Sequence, residues 1–200
     1  MSGTTTFDLG AQGRIVARLA AAVPDARLGD PTPCPAYTVG DLLDHIGGLA
    51  VAFRDAGLKR LGPTTDSAPE PAAAGLPADW REALPRALEE LAEAWREPAA
   101  WTGTTRAGGV DLPGAVAAAV AVDELVIHGW DLAVATGQEY TPDAVALGVA
   151  HAFLEEAAGD GSGGGGIFGP VVPVPDGASL LDRAVGLSGR APDWSPPTPS

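Results

Sequence analysis

Glu124 and His128 stand four residues apart in the run DELVIHGWDLA. In an α-helix, residues i and i+4 share a face. The residues around them (Val116, Val120, Val122, Leu125, Val126, Ile127, Leu132 and Val134) are apolar nearly all the way round. A helix of that composition belongs inside a protein. A carboxylate and an imidazole placed there must pair with a partner or bind a metal, because a buried unpaired charge is costly. His45, on another predicted helix, is a third candidate ligand. A His–Glu–His set leaves a tetrahedral cation one open position, the layout of a catalytic zinc site.

Each of these residues also has a plainer reading. On a helical wheel at about 100° per residue, Val116, Val120, Glu124, Ile127, His128, Asp131 and Val134 fall in a sector of roughly 120°. On that spacing alone, an i,i+4 ion pair is a sufficient account of Glu124 and His128. His45 lies at the rim of its helix's apolar stripe and, taken singly, reads as a half-buried histidine. Together the three are more telling, because bundles build metal sites from side chains on facing helices. Asp131, one turn beyond His128, either orients a ligand imidazole from behind or takes a surface salt bridge. Asp41, one turn before His45, is better explained by capping. His151 reads as a core or rim residue, Trp101 and Trp130 as core, and Cys34 as a small buried residue with no base beside it. The glycines of 161–166 form no phosphate loop, since they neither follow a strand nor end in Gly-Lys-Ser/Thr.

Five longer helices and one short one are expected to position these residues. The first runs from about Asp8 to Ala22, with Ile15, Leu19 and Val23 spaced along it and Pro24 as its stop. Pro31, Pro33 and Pro35 keep the following loop extended or turning. Thr38 caps the second helix, and Thr38-Val-Gly-Asp41 has capping-box spacing. Val39, Leu42, Ile46, Leu49 and Phe53 form its buried stripe. Residues 62–78 read as a mobile Pro/Ala/Ser-rich loop. The third helix covers about Asp79 to Glu97, with Pro85 as a kink unless the helix starts near Leu84. Residues 98–112 read as a turn-rich connection. The fourth helix spans about Pro113 to Thr136 and stops at Gly137. The fifth begins at Thr141 with Pro142 in its first turn and ends near Ala158. Residues 159–177 are a second mobile, Gly- then Pro-rich loop. A last helix covers about Ala178 to Leu187. Strand signals are scarce, and VVPVP suits an edge or an extended segment. The expectation is all-α: a four-helix bundle with extra C-terminal helices, one domain over 1–190, and a disordered tail at 191–200.

Composition bounds the function. The 200 residues suffice for a sizeable core. A net charge of −14 argues against nucleic acid or an anionic membrane as partner, since both need a basic patch. A single cysteine forbids an internal disulfide. The N-terminus lacks a charged start followed by an apolar stretch, so no signal peptide is expected. The alanine-rich run near 112–122 is followed at once by Asp123 and Glu124, so no membrane span is expected either. These features lead to the expectation of a soluble, cytoplasmic protein of unspecified oligomeric state.

Three stretches carry a family resemblance. TPCPAYTVGDLLDHIGGLA resembles the TPCP-aromatic-T-V-x-D-L-L-x-H opening of helix two in DinB-like proteins of the mycothiol-dependent maleylpyruvate isomerase N-terminal family. DELVIHGWDLAVATGQ resembles that family's E-L-x-x-H-x-W-D-L-A segment. FGPVVPVPDGASLLDRAVGLSGRAPDW resembles the tail of an actinobacterial subgroup of single-domain members. The resemblance implies a DinB-like bundle holding a divalent metal, usually zinc, with His45, Glu124 and His128 as ligands. The glutamate matches the isomerases, where the wider superfamily often has histidine. The resemblance further implies mycothiol as a thiol cosubstrate and a small-molecule electrophile as its partner, for isomerisation or S-transfer. The chain's end near residue 200 leaves no room for the separate C-terminal domain of the characterised isomerases, which points away from maleylpyruvate as the substrate. The rival readings are a non-catalytic bundle with a vestigial or structural metal site, and a metal-dependent hydrolase using a bound water.

Overall fold

A computed structural model describes residues 6–35, 37–70, 72–159 and 169–197. Residues 160–168 of the expected loop over 159–177, and 198–200 of the expected tail, lie outside the described residues. The helices are α1 (Gly10–Ala21), α2 (Val39–Gly57), α3 (Trp80–Ala94), α4 (Gly114–Thr136), α5 (Ala144–Gly159) and α6 (Leu180–Leu187).

The first four pack as a bundle, in which α2 lies against α3 and α4, and α1 against the same two. Leu42, Leu43, Ile46, Leu88, Leu91 and Leu132 form its interior, each at most 2% exposed. Fully burying one such side chain contributes about 1.5–3 kcal/mol. α5 and α6 cover the outer side of α4, where Val122, Val126 and Ile127 meet Ala146, Ala150, Leu154 and Ala184. α4 is therefore sandwiched between two packed layers. That is why its sequence is apolar on every side and why a polar residue on it has few routes to water.

Local signals explain most boundaries. The Thr38 side chain accepts the Asp41 N–H while the Asp41 carboxylate accepts the Thr38 N–H, completing the expected capping box. Gly137, at φ 69°, ends α4 in the left-handed conformation. α5 starts later than expected, at Ala144. Asp143 is its cap, accepting the N–H groups of Val145 and Ala146 at 3.1 and 3.0 Å, so Thr141 and Pro142 lie outside the helix. Pro85 sits within the second turn of α3, which begins at Trp80. The stripe of α1 is centred on Val16 and Leu19, which are buried, with Ile15 only half-buried beside them, while the buried Val23 lies past the end of the helix.

One element departs from the all-helical expectation. Thr104–Ala107 and Val110–Pro113 pair as an antiparallel hairpin, with Ala107 opposite Val110. Gly108 and Gly109, at φ 58° and 80°, make its two-residue turn. Positive φ at both positions is the turn geometry that matches strand twist. The Thr105 hydroxyl donates to the Ala56 carbonyl at 2.6 Å, fastening the hairpin to the end of α2. Residues 171–175, VVPVP, belong to no helix or strand, and Val172 N–H reaches the Gly186 carbonyl at 2.9 Å. Among the described residues, no helix is long and apolar enough to cross a membrane.

Candidate metal centre

α2 contributes His45 and α4 contributes Glu124 and His128, and the packing of these two helices brings the three together. One donor atom from each lies within 4.8 Å of the others. The two imidazoles meet edge-on, with centroids 5.0 Å apart and planes at 88°. His128 Nε2 lies 3.0 Å from Glu124 Oε2. Both histidines are buried, while the Glu124 side chain keeps 20% exposure. His151 is not in the cluster; it sits on α5, 3.3 Å from Glu155.

Behind the cluster stands a chain of charged groups. Asp131 is fully buried, and its Oδ2 lies 2.9 Å from His128 Nδ1. Arg190 grips the same carboxylate through Nε at 2.8 and 3.0 Å and through Nη2 at 2.9 Å. Its Nη1 donates to the Ser188 carbonyl at 3.1 Å. Asp131 thus lies behind His128, held from the far side by a guanidinium, and makes no surface salt bridge. Such a carboxylate fixes ring orientation and leaves Nε2 pointing the other way, towards Glu124.

Each titration follows from these contacts. Burial disfavours a charged His128, but hydrogen bonds to Asp131 and Glu124 and their charges outweigh it and raise its pKa to about 9. Burial, then the neighbouring His128, lowers His45 to about 4. Burial pushes the Glu124 and Asp131 carboxyls up. His128 hydrogen-bonds Glu124 and the Arg190 charge faces Asp131, and each carboxyl ends below its ordinary value. His45 is therefore neutral at pH 7, and its buried Nδ1 has no hydrogen-bond partner.

These donors suit a divalent cation. Two imidazoles and a carboxylate are ordinary zinc ligands, and ligand atoms on one tetrahedral zinc lie about 3.4 Å apart. The cluster is within a side-chain adjustment of that spacing. His45 also carries a buried ring nitrogen with no partner, a state that a bound ion commonly explains.

Several residues near the cluster escape a reading of the sequence. Arg190 comes from the far end of the chain, and only proximity in the fold reveals its partner. Tyr37 places its ring 5.2 Å from that of His45 and 6.4 Å from that of His128. Burial, and then the Cys34 thiol, raise its phenol, which stays protonated at neutral pH. Cys34 is half-buried, against the expectation of burial, and interacts electrostatically with Tyr37 and Arg190. Asp123 is 1% exposed with Oδ1 unpartnered, and burial raises its carboxyl well above the usual range. Its signal was present as the dipeptide Asp-Glu inside an apolar helix. Trp101 and Trp130 are buried at 5%, and Trp101 Nε1 donates to the Trp95 carbonyl at 2.7 Å, an ordinary core arrangement.

Comparison with known proteins places this geometry in a family. Residues 9–133 match the family described as the mycothiol maleylpyruvate isomerase N-terminal domain. The chain belongs to that family. The match takes in all of α1 to α3 and both α4 members of the cluster. Two uncharacterised proteins, from two strains of Mycobacterium tuberculosis, are 34% identical over 124 residues. That alignment spans 61% of this chain and 62% of each relative, so it covers less than two thirds of their length. A crystal structure of the mycothiol-dependent maleylpyruvate isomerase shares the fold at TM-score 0.63 and 20% identity. A structure of its His-to-Ala mutant does so at TM-score 0.66 and 19% identity. Each alignment covers 94% of this chain and 93% of the other. Little of the solved isomerase chain is left unmatched, where the sequence had suggested a missing C-terminal domain.

Proposed function

We propose that this member of the mycothiol maleylpyruvate isomerase family holds a divalent cation, zinc, on His45, Glu124 and His128, and that it uses a low-molecular-weight thiol, mycothiol, to act on a small electrophile. The observation that supports this best is the meeting of three donors from two helices within 4.8 Å of one another. The family's description, mycothiol maleylpyruvate isomerase N-terminal domain, supports the choice of thiol. When bound, a cation deprotonates a coordinated thiol outright, which would provide the nucleophile for addition, bond rotation and elimination, or for S-transfer.

The chain's own residues prepare that chemistry. His45 is kept neutral by burial and offers a lone pair without first losing a proton. Asp131, itself held by Arg190, aligns the ring of His128. Glu124 remains ionised and contributes the one negative charge among the three donors, leaving net positive charge on a divalent centre. Tyr37 lies against both imidazoles and can donate a hydrogen bond at neutral pH.

The test combines metal with thiol. Zinc-loaded protein should consume a conjugated electrophile only when mycothiol is present, and chelator should stop it. Consumption that needs metal but no thiol would replace this reading with hydrolysis by a bound water. No turnover in either case would leave a binding bundle.

A further inference from the structure

A cavity of about 400 Å³ lies between α2, α3 and the residues Pro63, Thr64, Ser67, Pro69, Leu76 and Pro77. The Gly47–Gly48 pair of α2 forms one wall, and Trp80, Leu84 and Ala87 of α3 form the other. The volume suits a small ligand, and a mostly apolar lining with a few polar groups is typical of such sites.

Its electrostatics select the occupant. Among the described lining residues none is basic, and Asp44 is the only charged one. The Asp44 carboxylate accepts the Ala72 N–H at 3.1 Å. An anion entering here would meet a carboxylate and no cation, in a protein whose net charge is −14. An uncharged molecule meets neither penalty. The cavity adjoins the metal centre along α2, where Asp44 and Gly48 of its lining stand on either side of His45 in the helix. Pro69 lines the cavity and packs on Gly48, where an added Cβ would come within 2.8 Å of the proline Cβ.

We propose that this cavity binds an uncharged, largely apolar molecule of one or two rings, and that this is the class of electrophile the His45–Glu124–His128 centre acts on. The second half rests on the function proposed above; the ligand class of the cavity does not.

Two substitutions fill the cavity from opposite walls. Ala87→Leu extends a side chain from α3. Gly47→Ala adds a Cβ that would stand 3.7 Å from Leu84 Cδ1, in ordinary contact, so α2 accepts it. Calorimetric titration of metal-free protein with 2-naphthol should show binding that Ala87→Leu weakens at least tenfold and Gly47→Ala weakens less. Both variants should keep the wild-type Tm or exceed it. Maleate, a dianion, should not compete. Unchanged 2-naphthol binding in both variants, or displacement by maleate, would overturn the assignment. In zinc-loaded protein with mycothiol, Ala87→Leu should raise KM for cinnamaldehyde with kcat near wild type. Absence of thiol-dependent turnover with any electrophile would remove the substrate role, while 2-naphthol binding decides the ligand class separately.

Discussion

His128 stands between two carboxylates, and its protonation links the cluster to pH. With no cation bound, its pKa of about 9 leaves it charged at pH 7. A metal must displace that proton, so zinc binding at pH 7 should release about one proton per ion. His45, lowered to about 4, contributes none. Apparent affinity should therefore rise about tenfold per pH unit up to pH 9 and then level off, as measured by titration in buffers of different ionisation enthalpy. Stability of the metal-free protein should run the other way. A histidine raised in the folded state stabilises fully below its unfolded pKa of about 6.5 and loses that contribution as pH rises through 9. Thermal melts of chelated protein across this window check the sign. Asp131→Asn should lower zinc affinity by about 10–100-fold, as read by chelator competition, because the ring of His128 loses its ionised partner. Unaltered affinity would show that Asp131 serves the Arg190 pair alone.

At the scale of elements, α2 and α4 do the positioning. The capping box sets where α2 begins, and with it the angular position of His45. Thr38→Ala should cost about 1 kcal/mol in urea unfolding. Gly129, next to His128, faces the Tyr140 hydroxyl, which a Cβ would approach to 2.9 Å. That hydroxyl donates to Val126 O at 2.7 Å and accepts from buried Gln12 at 2.8 Å. Gly129→Ala should therefore destabilise by about 1–3 kcal/mol through overpacking, measured in the same way. These two helices were readable in the sequence because Thr38, Gly137 and the apolar stripe of α2 are local signals. The hairpin at 104–113 was not read, although Gly108-Gly109 is a fair hairpin turn. Its four-residue strands are polar and too short to show alternation. The start of α5 was misplaced because Pro142 suits a first helical turn, while Asp143 makes the actual capping bonds. The meeting of His45 with the α4 pair was expected from motif and helix packing. Arg190 was not, because no local pattern links it to Asp131, 59 positions earlier.

At the scale of the molecule, α4 is clamped between the bundle and the α5–α6 layer, and the turn that follows α6 delivers Arg190 to the back of the centre. The core is extensive enough to keep the fold without a cation, unlike a small zinc domain that unfolds without metal. Chelation should therefore leave the helical circular dichroism intact while lowering the Tm. Zinc at 100 times its Kd should restore about 2.7 kcal/mol. Collapse of helicity on chelation would mean that the cation is structural.

Metal content of chelator-free protein, compared between wild type and His45→Ala, bears most directly on the centre. The geometry predicts about one cation per wild-type chain and its loss in a variant that keeps its helical spectrum. A folded His45→Ala protein with undiminished metal, or a wild type that takes up none when offered zinc, would contradict it.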